Sequence, residues 1–211
     1  MSAQAPRYYS DKTVLIVGAG CALGRVLALQ LADVGTTVIV LDHDTTHLMQ
    51  TASYDPTRIE TLTIAPQATA TIAKLGEIWE DEPIDLLVML QPLSLPRRPG
   101  LAAKSSLLFL DALKLGLARA KGAVVSVIPA AGGDDDPVAQ SAYAAMAQLA
   151  RAMPRQLRET GVRANAISAS ADLCDSDPEQ VADPVLFLGS EGARAINGAL
   201  LPVGAQKSAR N

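Results

Sequence analysis

Apolar residues along the chain gather in short continuous runs, and between the runs they recur at the three-to-four-residue spacing of a helix face. Residues 13–17, 36–41, 84–90, 123–128 and 162–168 are aliphatic and β-branched with little polar alternation, the pattern of strands buried on both faces. A weaker strand pattern covers 60–64 and a last one 199–203, whereas 25–34, 45–53, 68–80, 102–120, 139–153 and 178–188 read as helices, the first ended by Gly35. Alternation at this spacing predicts an α/β fold: a Rossmann-like, doubly wound, mostly parallel sheet of about seven strands with helices on both faces. The breakers sharpen the outline. The proline-rich stretch 91–100 is expected to be loop, neither helix nor central strand, and Pro154 to kink or end its helix. Residues 1–10 read as a flexible arm, 11–204 as a single Rossmann-like domain and 205–211 as a polar tail.

Composition narrows the function classes. A chain of 211 residues buries one good core, and 49% hydrophobic with 3% aromatic residues means a core of Ala, Val, Leu and Ile. The net charge is −4, and Arg97-Arg98 is the one basic cluster, which argues against nucleic acid as a partner. No apolar run approaches the ~20 residues of a membrane span and no targeting segment is evident, so a cytoplasmic location is expected. Cys21 and Cys174 lack metal-ligand spacing and are expected as free thiols; no metal site is foreseen. The acidic run 134–136 and the pair His43 and His47 read as solvated surface.

The first strand runs into Gly18-Ala19-Gly20-Cys21-Ala22-Leu23-Gly24 and then a helix. Its glycines lie at offsets zero, two and six, against zero, two and five in the dinucleotide fingerprint. The physical need is the same, because backbone must approach a pyrophosphate and helix amides must point at it. Gly18, Gly20, Ala22, Leu23 and Gly24 are therefore the candidate cofactor residues. Asp42, at the end of the second strand, is placed to accept the adenosine ribose hydroxyls and to repel a 2′-phosphate, which favours NAD. The competing reading is a tight strand-to-helix turn followed by a solvated acid.

These segments resemble the short-chain dehydrogenase/reductase family over about residues 11–204. Asp11-Lys-Thr-Val-Leu-Ile-Val-Gly-Ala-Gly-Cys-Ala-Leu-Gly24 looks like the family's opening, with Ala22 in place of the middle glycine of its Gly-x-x-x-Gly-x-Gly pattern. Ser141-Ala-Tyr-Ala-Ala-Met146 resembles the start of its active-site helix, and Arg163-Ala-Asn-Ala-Ile-Ser168 its sixth strand. The 185–190 and 196–203 segments resemble its closing helix and strand. The resemblance implies Tyr143 as general acid/base. It also implies a Lys four residues on, where this chain has Ala147, and a Ser about thirteen residues before, where it has Pro129 or Ala130. The family's helix Asn falls near Ser105, its Asn-Asn-Ala-Gly is Met89-Leu-Gln-Pro92, and the acid after its third strand is missing from 63–66.

A free Tyr has a pKa near 10, so at pH 7 about one molecule in a thousand carries the phenolate. Ala147 supplies no cation to raise that fraction. Losing a hydroxyl that stabilises the reacting oxygen costs about 10²–10³ in rate, and losing acid/base catalysis about 10²–10⁴ more. Only 170–177 stands where the family carries a longer substrate-covering segment. The small residues Ala139, Ala142, Ala145, Ala150 and Ala152 permit close helix approach, across a two-fold interface or onto the sheet. The expected role is thus a catalytically impaired, non-catalytic subunit in a homo-oligomer, or in a hetero-oligomer with an active relative. The alternatives are an active NAD-dependent oxidoreductase using Tyr143 on an unknown small-molecule substrate, or an NAD(H)-binding sensor.

Overall fold

The apolar runs lie side by side in one sheet. In a computed structural model, which describes residues 7–130 and 137–204, the strands are β1 (Thr13–Val17), β2 (Thr37–Asp42), β3 (Ile59–Thr63), β4 (Leu86–Met89), β5 (Ala123–Pro129), β6 (Arg163–Ala169) and β7 (Leu200–Val203). They are ordered β3-β2-β1-β4-β5-β6-β7, with every neighbouring pair parallel. The helices are α1 (Ala22–Asp33), α2 (Thr45–Ala52), α3 (Thr69–Ile78), α4 (Gln91–Ser94), α5 (Pro99–Ala120), α6 (Pro137–Gln156), α7 (Ala171–Ser176) and α8 (Glu179–Gly189). The expected α/β, doubly wound architecture is the observed one.

The central strands β1 and β4 are apolar almost throughout because successive side chains enter different cores. Val14 and Ile16 pack with Leu27 and Leu31 of α1 and Val185 of α8, whereas Leu15 and Val17 pack with Phe109 and Leu113 of α5 and Ile72 of α3. A third, smaller cluster joins Ile128, Tyr143, Met146, Ala150 and Ala166.

Several local expectations are corrected. The body of the protein begins before residue 11: Arg7–Tyr9 forms a 3-10 turn, and Tyr9 is 0% exposed. Its hydroxyl donates to the Leu186 carbonyl at 2.6 Å, which ties the entry segment to α8. Residues 1–6 and the tail 205–211 lie outside the described residues. The stretch 91–100 is not all loop, since α4 occupies Gln91–Ser94 and α5 starts at Pro99. Pro92 and Pro99 both sit in a first helical turn, where a missing N–H breaks no helix bond. Helix α6 runs through Pro154 and ends two residues later at Gln156, so the proline loses one bond near a terminus that frays anyway. The short 170–177 segment folds as α7, capped where Ser170 Oγ accepts the Leu173 amide at 3.2 Å, and it buries Cys174.

The polar residues of β6 fasten the end of the fold. The Arg163 guanidinium donates to the carbonyls of Leu188, Ala193, Gly189 and Ser190 at 2.9–3.2 Å. The Asn165 amide donates to the Ile196 carbonyl and accepts the Ala199 N–H, both at 3.0 Å, which sets β7 against β6.

Candidate functional site at the β1–β4 switch point

Adjacent strands β1 and β4 send their connections to opposite faces, β1 into α1 and β4 into α4 and α5. A doubly wound sheet opens a crevice beyond the carboxyl ends of such a pair. The glycine turn fills the floor of this crevice. Gly18 has φ +82°, and a Cβ on it would lie 2.5 Å from the Gln91 amide nitrogen. A Cβ on Gly24 would lie 2.5 Å from the Ala19 carbonyl oxygen, so the first and last glycines are demanded by packing. The turn is held to β2 by the Gly18 and Ala19 amides, which donate to the Leu41 carbonyl at 2.8 and 3.1 Å. Ala22 opens α1, and its N-cap Cys21 makes no side-chain cap bond. The first-turn amides of α1 are therefore open to a phosphate. Leu23 is buried in the α1–sheet core and contributes only main chain to the turn.

Asp42 reaches back into this turn. Its Oδ2 accepts the Gly20 amide at 3.1 Å, and its Oδ1 accepts the amides of His43 at 2.7 Å and Asp44 at 3.0 Å. His43 Nδ1 also lies 2.7 Å from Oδ1, and the Asp42 side chain is 1% exposed. Asp42 is thus a structural clamp on the glycine turn, and ribose hydroxyls would have to compete with four partners already in place. His43 and His47 are surface residues as expected, with His47 Nδ1 lying 3.0 Å from Asp44 Oδ2.

The catalytic-half candidates lie on β5 and α6. Tyr143 is 7% exposed within the Ile128, Met146, Ala150 and Ala166 cluster, and Ala147 packs against the same cluster one helical turn on. Pro129 is the buried last residue of β5, opposite Ala169, and Ala130 donates its amide to the Ala169 carbonyl at 2.7 Å. The fold thus keeps the glycine turn in one packing cluster and Tyr143 in another. Of the small α6 residues, Ala139 and Ala150 pack onto the sheet, whereas Ala145 is exposed. The acidic run 134–136 lies outside the described residues.

Beside the glycine turn the structure assembles groups that periodicity does not single out. Gln91 and Ser105 are 2% and 0% exposed, and among the described residues neither the Gln91 amide atoms nor Ser105 Oγ has a hydrogen-bond partner. Both line a narrow slot with Val17, Leu41, Ile64 and Phe109. This slot shares His43, Pro66, Ser94 and Leu95 with an outer cleft of about 400 Å³, whose rim carries Gln67, Arg97 and Arg98. In the sequence these positions stand out only as the Arg97-Arg98 pair and as the Met89-Leu-Gln-Pro92 segment that replaces the family's Asn-Asn-Ala-Gly. A backbone cradle closed to any Cβ, open helix amides and unpartnered polar atoms together fit a dinucleotide.

The thiols do not add chemistry. Burial pushes Cys21 up to about 12 and Cys174 up to about 11, so both are overwhelmingly protonated at neutral pH. Both are free, as expected. Among the described residues no group of three or more His, Cys, Asp and Glu side chains could hold a metal ion, and no helix is long and apolar enough to cross a membrane.

No protein-family model and no curated protein sequence matches the chain. Solved structures do match. An oxidoreductase of the short-chain dehydrogenase/reductase family from Burkholderia thailandensis superposes with a TM-score of 0.78 at 23% identity, over 96% of this chain and 94% of its own. The RhlG/NADP active-site complex from Pseudomonas aeruginosa gives a TM-score of 0.77 at 18% identity, over 93% and 96%. A ribose-5-phosphate isomerase from Brucella melitensis 16M gives 0.76 at 23% identity, over 95% and 93%. The chain has the fold of the short-chain dehydrogenase/reductase structures. The isomerase among its neighbours is a reminder that this scaffold does not by itself dictate a reaction.

Proposed function

We propose that the chain is a short-chain dehydrogenase/reductase-like protein that has lost efficient hydride-transfer chemistry. It serves as a non-catalytic subunit, in a homo-oligomer or beside an active relative, and keeps a site for a nicotinamide dinucleotide. One observation carries this reading: the positions that would equip Tyr143 hold Ala147, Pro129 and Ala130. An alanine at 147 offers neither a cation to favour the phenolate nor a donor to hold a ribose, and Pro129 and Ala130 offer no hydroxyl to stabilise a developing oxyanion. A bound dinucleotide supplies the hydride chemistry. What this chain supplies is binding: the Gly18–Gly24 backbone and the α1 amides receive the pyrophosphate, and Asp42 keeps the turn in shape.

The test is turnover of NADH and NADPH with a panel of aldehydes and ketones, combined with sedimentation velocity. The expected result is an oligomer whose turnover does not exceed that of Tyr143→Phe. A monomer with turnover abolished by Tyr143→Phe would overturn the proposal in favour of an active oxidoreductase, the reading supported by retention of Tyr143 itself. Saturable dinucleotide binding without turnover or association would favour an NAD(H) sensor.

A further inference from the structure

A groove that the nucleotide reading does not use lies where α3 and α5 pack against each other, and it shares no lining residue with the crevice. The two helices touch at Gly76, where a Cβ would lie 2.6 Å from the Ala112 carbonyl oxygen. Along that contact runs a depression of about 330 Å³ with an apolar floor, Ile72 from α3 and Leu108 and Leu115 from α5. Its lining on α3 extends from Thr69 to Glu80, about 16 Å at the rise of a helix. Leu115 is 46% exposed there, and Ile78, between the lining residues Glu77 and Glu80, is 63% exposed. Exposed apolar side chains grouped around a groove, unlike single scattered ones, mark an interaction surface.

The rim carries one sign of charge. Glu77 and Glu80 of α3 line it together with Asp111 of α5, and among the described residues no basic side chain does. Asp111 is paired with Lys114 at 2.7 Å, whereas neither glutamate carboxylate has an ion pair or hydrogen bond among the described residues. Arg119 is engaged by Asp81 and by the Glu80 carbonyl, so it leaves the Glu80 side chain unneutralised. Two unpaired carboxylates one helical turn apart repel each other, and a cation placed between them relieves the repulsion.

We infer that this groove docks a cationic amphipathic helix of a partner protein. Its apolar side chains, recurring at three- and four-residue spacing, enter the floor between α3 and α5, and lysines or arginines on its flanks meet Glu77, Glu80 and Asp111. The walls decide for a helix over an extended segment. Both walls are helices whose backbone groups bond internally, so a strand laid between them would press unpaired amides and carbonyls against the floor. The floor supplies the affinity and the carboxylates select the partner's sign, because exposed ion pairs contribute little each, whereas like charges brought together exclude an acidic partner. No residue of α6 lines the groove, and docking there leaves the crevice free.

Fluorescence anisotropy of the full chain with a fluorescein-labelled Leu–Lys peptide of about fourteen residues, patterned as an amphipathic helix, tests the inference against a Leu–Glu peptide of the same apolar pattern. The titrations are repeated on the double variant Glu77→Gln, Glu80→Gln and on Leu115→Gln. All three positions are exposed, so thermal melts that match the parent guard against misfolding. The expected result is binding of the Leu–Lys peptide at least about tenfold tighter than the Leu–Glu peptide, weakened about fivefold or more in each variant, with amide exchange slowed along α3 and α5. Equal binding of the two peptides, no binding, binding unchanged in the variants, or protection confined to another surface overturns the assignment. A groove covered by a second copy of this chain overturns it too, and shows itself in sedimentation as an oligomer of the parent that the variants dissociate.

Discussion

Asp42→Ala is the most informative single change, because the two readings of this residue predict different observables. The wild-type carboxylate accepts the amides of Gly20 at 3.1 Å, His43 at 2.7 Å and Asp44 at 3.0 Å, with its side chain 1% exposed. A hydrogen bond to a charged group contributes about 1.5–3 kcal/mol, and an amide left unpaired in the interior costs about 1–3 kcal/mol. Gly20 is partly exposed, so water recovers some of this in the alanine variant. A net loss of about 3 kcal/mol remains, which for a domain of this size lowers Tm by about 6–12 °C. Asp42→Asn keeps one acceptor oxygen and sets its NH₂ group against amide donors on the other side, so it falls between parent and alanine. Urea unfolding and scanning calorimetry read the effect directly. If Asp42→Ala melts within about 2 °C of the parent and yet loses dinucleotide binding, Asp42 is a ligand contact and the clamp argument fails.

Three further outcomes are expected. Arg163→Lys replaces a planar fork that reaches four carbonyls with a point charge that cannot, and is expected to cost about 3 kcal/mol in urea unfolding; a loss below about 1 kcal/mol refutes that role. With thiols pushed up from 9.0 to about 12 and about 11, iodoacetamide at pH 8 should alkylate native Cys174 about a hundred times, and Cys21 about a thousand times, more slowly than in urea. Mass spectrometry follows each site, and native rates within about tenfold of the unfolded rates contradict the burial. Lys12 sits 2.9 Å from Asp85, whose hydrogen bond raises the Lys12 pKa. Because the folded value is the higher one, the bridge contributes fully below the unfolded value of 10.5 and is lost as pH rises through the folded value. Lys12→Met should therefore be less stable than the parent by about 1 kcal/mol or less at pH 8, since Lys12 is partly solvated. The gap should close above pH 10.5; a gap that persists there refutes the electrostatic origin.

Much of the fold was legible because its signals are local. A run such as Thr13–Val17 without polar alternation specifies a strand covered on both sides, and the spacing of runs and helices specifies crossovers and hence a parallel sheet. Gly18 and Gly24 announced the turn because only glycine tolerates the backbone approaches found there. The misreadings are also local in origin. Pro92 and Pro99 read as breakers by residue type, yet in a first helical turn the missing N–H removes nothing. The polar N-terminal stretch carries no local anchoring signal, because Tyr9 is held by α8, a partner far away in the chain.

Local pattern and residue identity were enough for the architecture, the place of the glycine turn and the residues standing at 129, 130, 143 and 147. Only the assembled fold shows where Asp42 turns, that Gln91 and Ser105 are buried without hydrogen-bond partners among the described residues, and that Arg97, Arg98 and His43 line one cleft. The reason is the switch point between β1 and β4. Hydrophobic periodicity records only how each segment is buried, whereas the crevice is built from strand ends and loops that crossover connections bring together from distant parts of the chain.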